Sequence, residues 1–566
     1  MDRGMDHDFL AALTGPLADR TARLASPEGP PHTTRHRALA SDAKALVAAW
    51  VWERPEASGH VTVALQRALN LRELQGKDGL FGGDNLASPP DSSFTMNDVC
   101  LLTQLIDTVA RERQPSELAD LRAVLTDIRE AATPALLVGG VHTPNHRWEL
   151  CAALARLHRL APDPRIPERI DDWLAEGIDL QPDGMYSERS PLYAAHVTNP
   201  SLLAIADVLD RDELREPVRR NLAAFAALYD ADGCLESVHS RRQDQRARFF
   251  GDRFLMPYRA LALRADEPER ALFARMARTV QEHGVDGETA ADALTAVLID
   301  PALAEPLPSP SRPAERTESV FATSGLAQLH DGARTLTVYG GGDIATTPRI
   351  GSGIATNPTF LRLRQGAAVL ESVRLYVDFF SLGPFRAEGL ERLGPGKYRL
   401  ASDRSASFYQ PLPPSARRAD GAYPLGDEGR FHAAMDFAAR PADTHHLTVT
   451  AEVTATATGV RVDFDLDSTP TTYALELAFR PGGTLTGTTV TAGPDRCVIG
   501  GPEATYTVGS DILRVTHTAP ACDREPSTDP GEQFGYLGAS DTAPGVKAYI
   551  TGTTPARFTL TVDGTV

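Results

Sequence analysis

A chain of 566 residues is too long for one hydrophobic core, so two domains, or three, are expected. Its 42% hydrophobic and 23% charged residues are those of an ordinary soluble globular protein. The formal net charge of −18 excludes nucleic acid and anionic membranes as bulk partners, because a polyanion is repelled except at a local basic patch, and an anionic ligand must meet local arginines.

The N-terminal stretch "MDRGMDHDFLAALTGPLADR" has acids near its start and no apolar run of signal-peptide length, and no later segment reaches membrane-spanning length. A cytoplasmic location is expected, with secretion the alternative if the chain is a processed form. Up to residue 305 apolar residues recur at three- and four-residue spacing, as in "DAKALVAAWVW", "ELADLRAVLTDIREAA" and "PVRRNLAAFAALYD". This predicts about ten consecutive helices. Within them "GLFGGDNLASPPDSSFTMNDVC", residues 79–100, reads as a long loop leading to a helix that begins with Asn97 and Asp98. Phe81 or Phe94 there suits stacking on a pyranose, and Asp91 and Asn97 suit its hydroxyls; alternatively Asp91 or Thr95 caps the helix and the aromatics pack.

Next comes "TPNHRWELCAALARLHRL", a helix whose first turn carries Pro144, Asn145, His146, Arg147 and Glu149. Asn145, His146 and Glu149 lie three and four residues apart on one face, and the free N–H groups of the turn add donors suited to a carboxylate. The bland alternative is that Asn145 caps the helix and His146 is solvated. The segment "LQPDGMYSERSPLYAAHVTNPSLLAIADVLD" reads as an Asp-Gly turn, a polar stretch with Tyr186 and Tyr193, and a helix. A tyrosine beside a polar helix start is a candidate for proton transfer, or a packing residue. Further on, "ESVHSRRQDQRARFF" concentrates His239, Arg241, Arg242, Arg246 and Arg248, either an attractor for carboxylates or sulfates or a helix face paired with Asp244 and Asp252.

Residues 306–318 are proline-rich and read as a linker. Beyond it, residues 319–566 alternate Thr and Val, as in "ARTLTVYGG", "HHLTVTAEVTATATGVRVDFDLD" and "RFTLTVDGTV", and predict antiparallel strands. The expected fold class is therefore multidomain α+β: an incomplete (α/α) toroid over residues 1–305, with a cleft at the ring's centre, followed by an antiparallel β-sandwich. Cysteines 100, 151, 234, 497 and 522 show no metal spacing and read as thiols; a Cys497–Cys522 bridge would require export. There is no phosphate-binding or dinucleotide glycine motif, no HExxH and no serine nucleophile elbow.

"NHRWE", followed 47 residues after its histidine by the last tyrosine of "DGMYSERSPLY", resembles the heparinase II/III and oligoalginate lyase group of polysaccharide lyases. The resemblance implies a toroid plus β-sandwich that cleaves a 4-linked uronic-acid-containing glycan by β-elimination. It further implies that Asn145, His146 and Glu149 bind and neutralise the uronate and that Tyr193 transfers the proton. The family's His-x-His-x-Asp segment early in the β domain is replaced here by "PRIGSGIATNPTFLRLRQGAAVLESVRL", and His239 is the candidate to replace the second catalytic histidine that the resemblance implies. Substrate contacts are expected from Glu149, Arg147, Tyr186, Glu188, Arg189, Arg242, Asp91, Asn97 and Asn357, the last with Thr356 at a strand entry. No cofactor is expected, and the usual ligands of the family's structural divalent metal are not seen. The expected partner is an anionic glycan or oligosaccharide. Hydrolysis by a carboxylate pair drawn from Asp183, Glu188 and Glu149, uronyl C5-epimerisation and non-catalytic glycan binding are the competing functions.

Overall fold

The computed structural model describes residues 4–26, 35–53, 59–82, 86–109, 116–245, 248–264, 269–312, 314–343, 353–491, 493, 495–528 and 543–565. The chain divides into two units, the first formed by Met1–Ser187, Pro191–Ala226 and Phe250–Arg312, the second by Glu188–Ser190, Ala227–Phe249 and Pro313–Val566.

The first unit is helical. In chain order it contains α1 (His7–Ala25), α2 (His36–Glu53), α3 (His60–Leu74), α4 (Pro89–Val109), α5 (Ser116–Val138), α6 (Pro144–Leu160), α7 (Arg165–Leu174), the single turn α8 (Pro191–Tyr193), α9 (Asn199–Leu209), α10 (Arg215–Ala226), α11 (Leu255–Arg264), α12 (Glu269–His283) and α13 (Gly287–Ile299). Burial separates an inner layer from an outer one. α6 buries Trp148, Leu150, Cys151, Ala153, Leu154 and Leu157 around its circumference, whereas α7 buries only Ile166 and Ile170. A helix apolar all round must be enclosed, and one with a single stripe faces water. Accordingly α2 packs against α13, α3 and α4, α4 against α5 and α6, and α6 against α7 and α9. The alternate helices α2, α4, α6, α9, α11 and α13 form the inner wall of an incomplete (α/α) toroid, and successive inner helices run in the same direction.

Capping sets several of these starts. Asp6 accepts from the Phe9 N–H at the head of α1, and Asp286 from the Thr289 N–H at the head of α13. α4 begins at Pro89, eight residues before the Asn97 start expected from the sequence. The prolines fit a first turn that needs no N–H, and Ser88 Oγ accepts from the Asp91 N–H, so Asp91, Phe94 and Asn97 are helical. The expected Asp-Gly turn is present, with Gly184 at φ +86°; a Cβ there would meet the Ala224 side chain at 2.9 Å. None of the described helices is long and apolar enough to cross a membrane.

The second unit contains two large sheets. Among the described residues one has nine strands, in spatial order Arg316–Phe321, Leu326–Asp331, Arg334–Tyr339, Leu361–Gln365, Ala368–Val377, Thr472–Phe479, Lys547–Thr553, Arg496–Val498 and Val490–Thr491. The other has eight: Thr484–Thr486, Glu503–Val508, Asp511–His517, Ala556–Thr565, Gly459–Ser468, Ala442–Ala455, Lys397–Tyr409 and Glu391–Gly394. Pairing is antiparallel except between Arg496–Val498 and Lys547–Thr553. Alternate residues of both sheets, among them Leu336, Leu375, Leu477, Val449, Val462 and Leu560, form one apolar core. This is a β-sandwich. All five cysteines are free thiols.

Candidate active site

The inner helices of the first unit enclose an open cleft of about 1700 Å³. Because they run in the same direction, their N-termini meet at one end of it, where Arg37, Asp91, Phe94, His146, Tyr193 and His196 lie. The C-terminal ends contribute Arg156, Arg159, Asp207, Arg264 and Asp300. Among the described lining residues nine are Arg or Lys and eight Asp or Glu, against a whole-chain charge of −18. The charges of the cleft wall thus nearly balance, so the cleft lacks the acidic excess of the chain as a whole.

Glu149 lies in this wall and is 5% exposed. Asn97 Nδ2 donates to its Oε1 at 2.8 Å, and Ser201 Oγ donates to its Oε2 at 3.1 Å. Arg156 Nε donates at 3.1 Å to Asn97 Oδ1, which fixes which face of that amide meets Glu149. Burial raises the Glu149 carboxyl from 4.5 to about 7, with the Asn97 and Ser201 donors and the charge of Arg37 opposing. Near neutral pH it can therefore donate a hydrogen bond as an acid.

Pro144 occupies the first turn of α6 with Thr143 as its extended N-cap. His146 lines the cleft, edge-on to Phe94 at 6.1 Å and to His142 at 4.7 Å. Asn145 is 1% exposed, and its Oδ1 accepts from Thr143 Oγ1 at 3.3 Å. Arg147 pairs with Glu176 at 2.9 Å and stacks on Trp148. Tyr193 ends the turn α8 and is followed by the π-helical turn Ala194–Thr198. That wider register, common at functional sites, precedes α9 and leaves Tyr193 half-buried in the cleft wall. Tyr186 lies elsewhere: it is buried, its hydroxyl donates to Asn199 Oδ1 at 2.8 Å, and burial holds its pKa well above 10. Phe81 is fully buried and stacks on His36, whereas Phe94 lines the cleft.

The remaining sequence-predicted residues, Asp183 apart, belong to the second unit. "ESVHSRRQDQRARFF" forms turns rather than the helix face considered from the sequence, because Glu236, Ser240 and Asp244 are spent locally on backbone N–H and hydroxyl groups. Arg246 lies outside the described residues. His239 is fully buried, neither ring nitrogen has a partner among the described residues, and burial with Arg189 and Arg362 nearby lowers it to about 3. Arg242 pairs with Glu188 at 3.3 Å. Arg189, at φ +52°, donates to the carbonyls of Gly341 at 3.0 Å and Thr323 at 3.3 Å. Asn357 is buried and donates to the Gln245 carbonyl at 3.2 Å. Asp183 Oδ1 accepts from the Met185 N–H in the Asp-Gly turn at 3.4 Å. Among the described residues no group of three or more His, Cys, Asp or Glu side chains is placed to hold a metal ion.

His36 and Arg37 are among the cleft residues that the sequence did not single out. His36 and Arg37 open α2, and "TTRHRAL" signals a basic start to an otherwise apolar helix. His36 bonds Thr95 Oγ1 at 2.6 Å and Asp91 Oδ2 at 3.3 Å, and burial, then Arg37, lowers it to about 4.

No family model matches this chain, and no curated protein matches it in sequence. Among solved structures, the chondroitin AC lyase of Streptomyces coelicolor A3, in complex with chondroitin sulphate, aligns with a TM-score of 0.51 and 14% identity over 98% of this chain and 76% of its own. Weaker likenesses, with 11% and 10% identity, are to an inactive α-1,6-mannanase variant of Salegentibacter sp. HEL1_6 (TM-score 0.33; 52% of this chain, 99% of that one) and a GH127 β-L-arabinofuranosidase of Geobacillus stearothermophilus T6 (TM-score 0.32; 98% of each chain). What the chain shares with the chondroitin AC lyase is a fold, a helical toroid followed by β-sheets.

Proposed function

We propose that this protein is a glycan-processing enzyme that cleaves a 4-linked, uronic-acid-containing polysaccharide or oligosaccharide by β-elimination, in the manner of the heparinase II/III and oligoalginate lyases. The observation that carries the reading is the meeting, in one large cleft, of Tyr193, His146 and the desolvated Glu149. The C5 proton of a uronate is weakly acidic, and its removal requires the adjacent carboxylate to be neutralised as enolate character develops. Glu149, protonated below about pH 7, and His146 supply hydrogen bonds for that purpose, and the N-terminal end of α6 adds its dipole. Asn145 holds the start of the turn through Thr143. Tyr193 removes the C5 proton and returns one to the departing O4 when both lie on the same face of the ring.

The product carries a C4–C5 double bond conjugated with a carboxylate. Incubation with chondroitin, alginate, hyaluronan, heparosan and glucuronan, and with their oligomers, is expected to raise absorbance at about 230–235 nm for at least one of them. Reducing ends released without that absorbance would assign hydrolysis instead, deuterium uptake at C5 without cleavage would assign epimerisation, and binding without turnover a lectin-like role.

A further inference from the structure

Arg37 has a pinned guanidinium with donors to spare. Its central carbon lies 3.8 Å from the centroid of the Phe94 ring, and Nη2 is ion-paired with Asp91. Asp91 is itself held by His36. Among the described residues no hydrogen bond engages Nε or Nη1, and the side chain is 47% exposed into the cleft. An arginine fixed on one edge and one face has lost most of its conformational freedom in advance, so little remains to be lost on binding. Its charge acts on both Glu149 and Tyr193. Arg35 lies in the same wall, and His36 between them is held neutral by burial, so two guanidinium groups border this end of the cleft.

We propose that Arg37 is the receptor for the carboxylate of the uronic acid residue that occupies the cleft beside Tyr193 and Glu149, and that it makes the site selective for uronates over neutral sugars. This rests on the elimination reading for the identity of that sugar. With one N–H of Nη2 turned to Asp91, the other N–H of Nη2 and the neighbouring N–H of Nη1 or Nε still form a parallel pair of donors, the geometry that a carboxylate accepts in two-pronged fashion. Asp91 and Phe94 aim the fork, and neutral Glu149 approaches the same anion as a donor without opposing its charge.

The test is a binding measurement that does not depend on turnover. Isothermal titration calorimetry in the Tyr193→Phe background compares hexasaccharides of unsulfated chondroitin, alginate and heparosan with the same oligomers after reduction of their carboxyl groups to alcohols. Arg37→Ala is expected to weaken the acidic form of the bound oligomer about tenfold or more and to leave the reduced form unchanged; Arg37→Lys, a point charge without a fork, falls between. Carboxyl-reduced chondroitin sulfate separates the two anions: sensitivity to Arg37 that follows sulfate overturns the proposal. Equal losses for acidic and reduced oligomers, no loss for either, or no binding of any acidic oligomer by the Arg37 protein also overturns it. Should Arg37→Ala not fold, Arg37→Gln keeps the stem and makes the same comparison. Carboxylate-dependent binding without absorbance across the glycan panel would leave the receptor standing and remove the elimination reading; absorbance with an indifferent Arg37→Ala would do the reverse.

Discussion

Tyr193 and Glu149 carry the reading at the level of single side chains. Tyr193→Phe removes one oxygen from a half-buried ring, so folding and ligand affinity should persist while turnover falls about a hundredfold or more. Retained turnover in this variant would place the proton transfer on another residue. Glu149 can be tested through pH. The folded protein keeps its proton to about pH 7, whereas the unfolded chain releases it near 4.5, so this residue's contribution to stability declines as pH rises across that window and is level above it. His36 works in the opposite sense: lowered to about 4, it refuses a proton that the unfolded chain accepts near 6.5, and stability falls as pH falls through that interval. In wild type the two slopes offset each other. Glu149→Gln removes the first, so its denaturant-derived stability should gain on wild type between pH 4.5 and 7 by something on the order of 3 kcal/mol, and parallel curves would count against the buried acid. Activity should fall above about pH 7 as Glu149 loses the proton with which it donates.

The elements matter because they choose which polar residues reach the cleft. The π-helical turn Ala194–Thr198 is supported from behind by a chain of buried hydrogen bonds: Tyr186 donates to Asn199, Asn199 to Asn221 at 2.9 Å, and Asn221 to the Gly184 carbonyl at 2.9 Å. Tyr186→Phe strands the Asn199 oxygen, with an expected loss of about 1–2 kcal/mol and a lower Tm, measurable by calorimetry. Because the turn it supports ends at α9 and begins at Tyr193, turnover should drop severalfold with little change in substrate affinity. Full stability in this variant would show that the chain of bonds contributes nothing. The proline-led start of α4 is the other case. The residues "ASPPDSSF" have loop composition, yet a first turn tolerates prolines and Ser88 supplies a cap, so the segment winds into the inner wall and carries Phe94 and Asn97 with it.

For the molecule as a whole, two electrostatic ranges compete. A net charge of −18 repels a polyanion at long distance, and the charge-balanced cleft attracts it only at contact, through donors such as those of Arg37. The Debye length is about 30 Å at 0.01 M salt, about 10 Å at 0.1 M and about 3 Å at 1 M. Intermediate salt screens the global repulsion and spares the local contacts. The ratio kcat/KM for a polyanionic substrate is therefore expected to pass through a maximum near about 0.1 M and to fall on both sides. A monotonic rise with salt would mean that the cleft offers the polyanion no net attraction.

The sequence alone was sufficient for the alternation of helices and then strands and for the polar first turn of α6, because these depend on local periodicity and on the fixed φ of Pro144. It left open whether Tyr186 or Tyr193 faces a cleft, since both stand in the same polar segment and only the packing of α9 and α10 buries Tyr186 against Asn199 and Asn221. Asn145 and His146 are adjacent in the chain, yet the turn buries the first and sets the second in the cleft lining. The acidity of Glu149 was not legible at all, because it arises from desolvation by α4 and α9 and from donors 52 residues away on either side. Arg37 escaped notice for the same reason: what distinguishes it from any surface arginine is the ring of Phe94 beneath it and the carboxylate of Asp91 beside it, both brought there by a helix far along the chain.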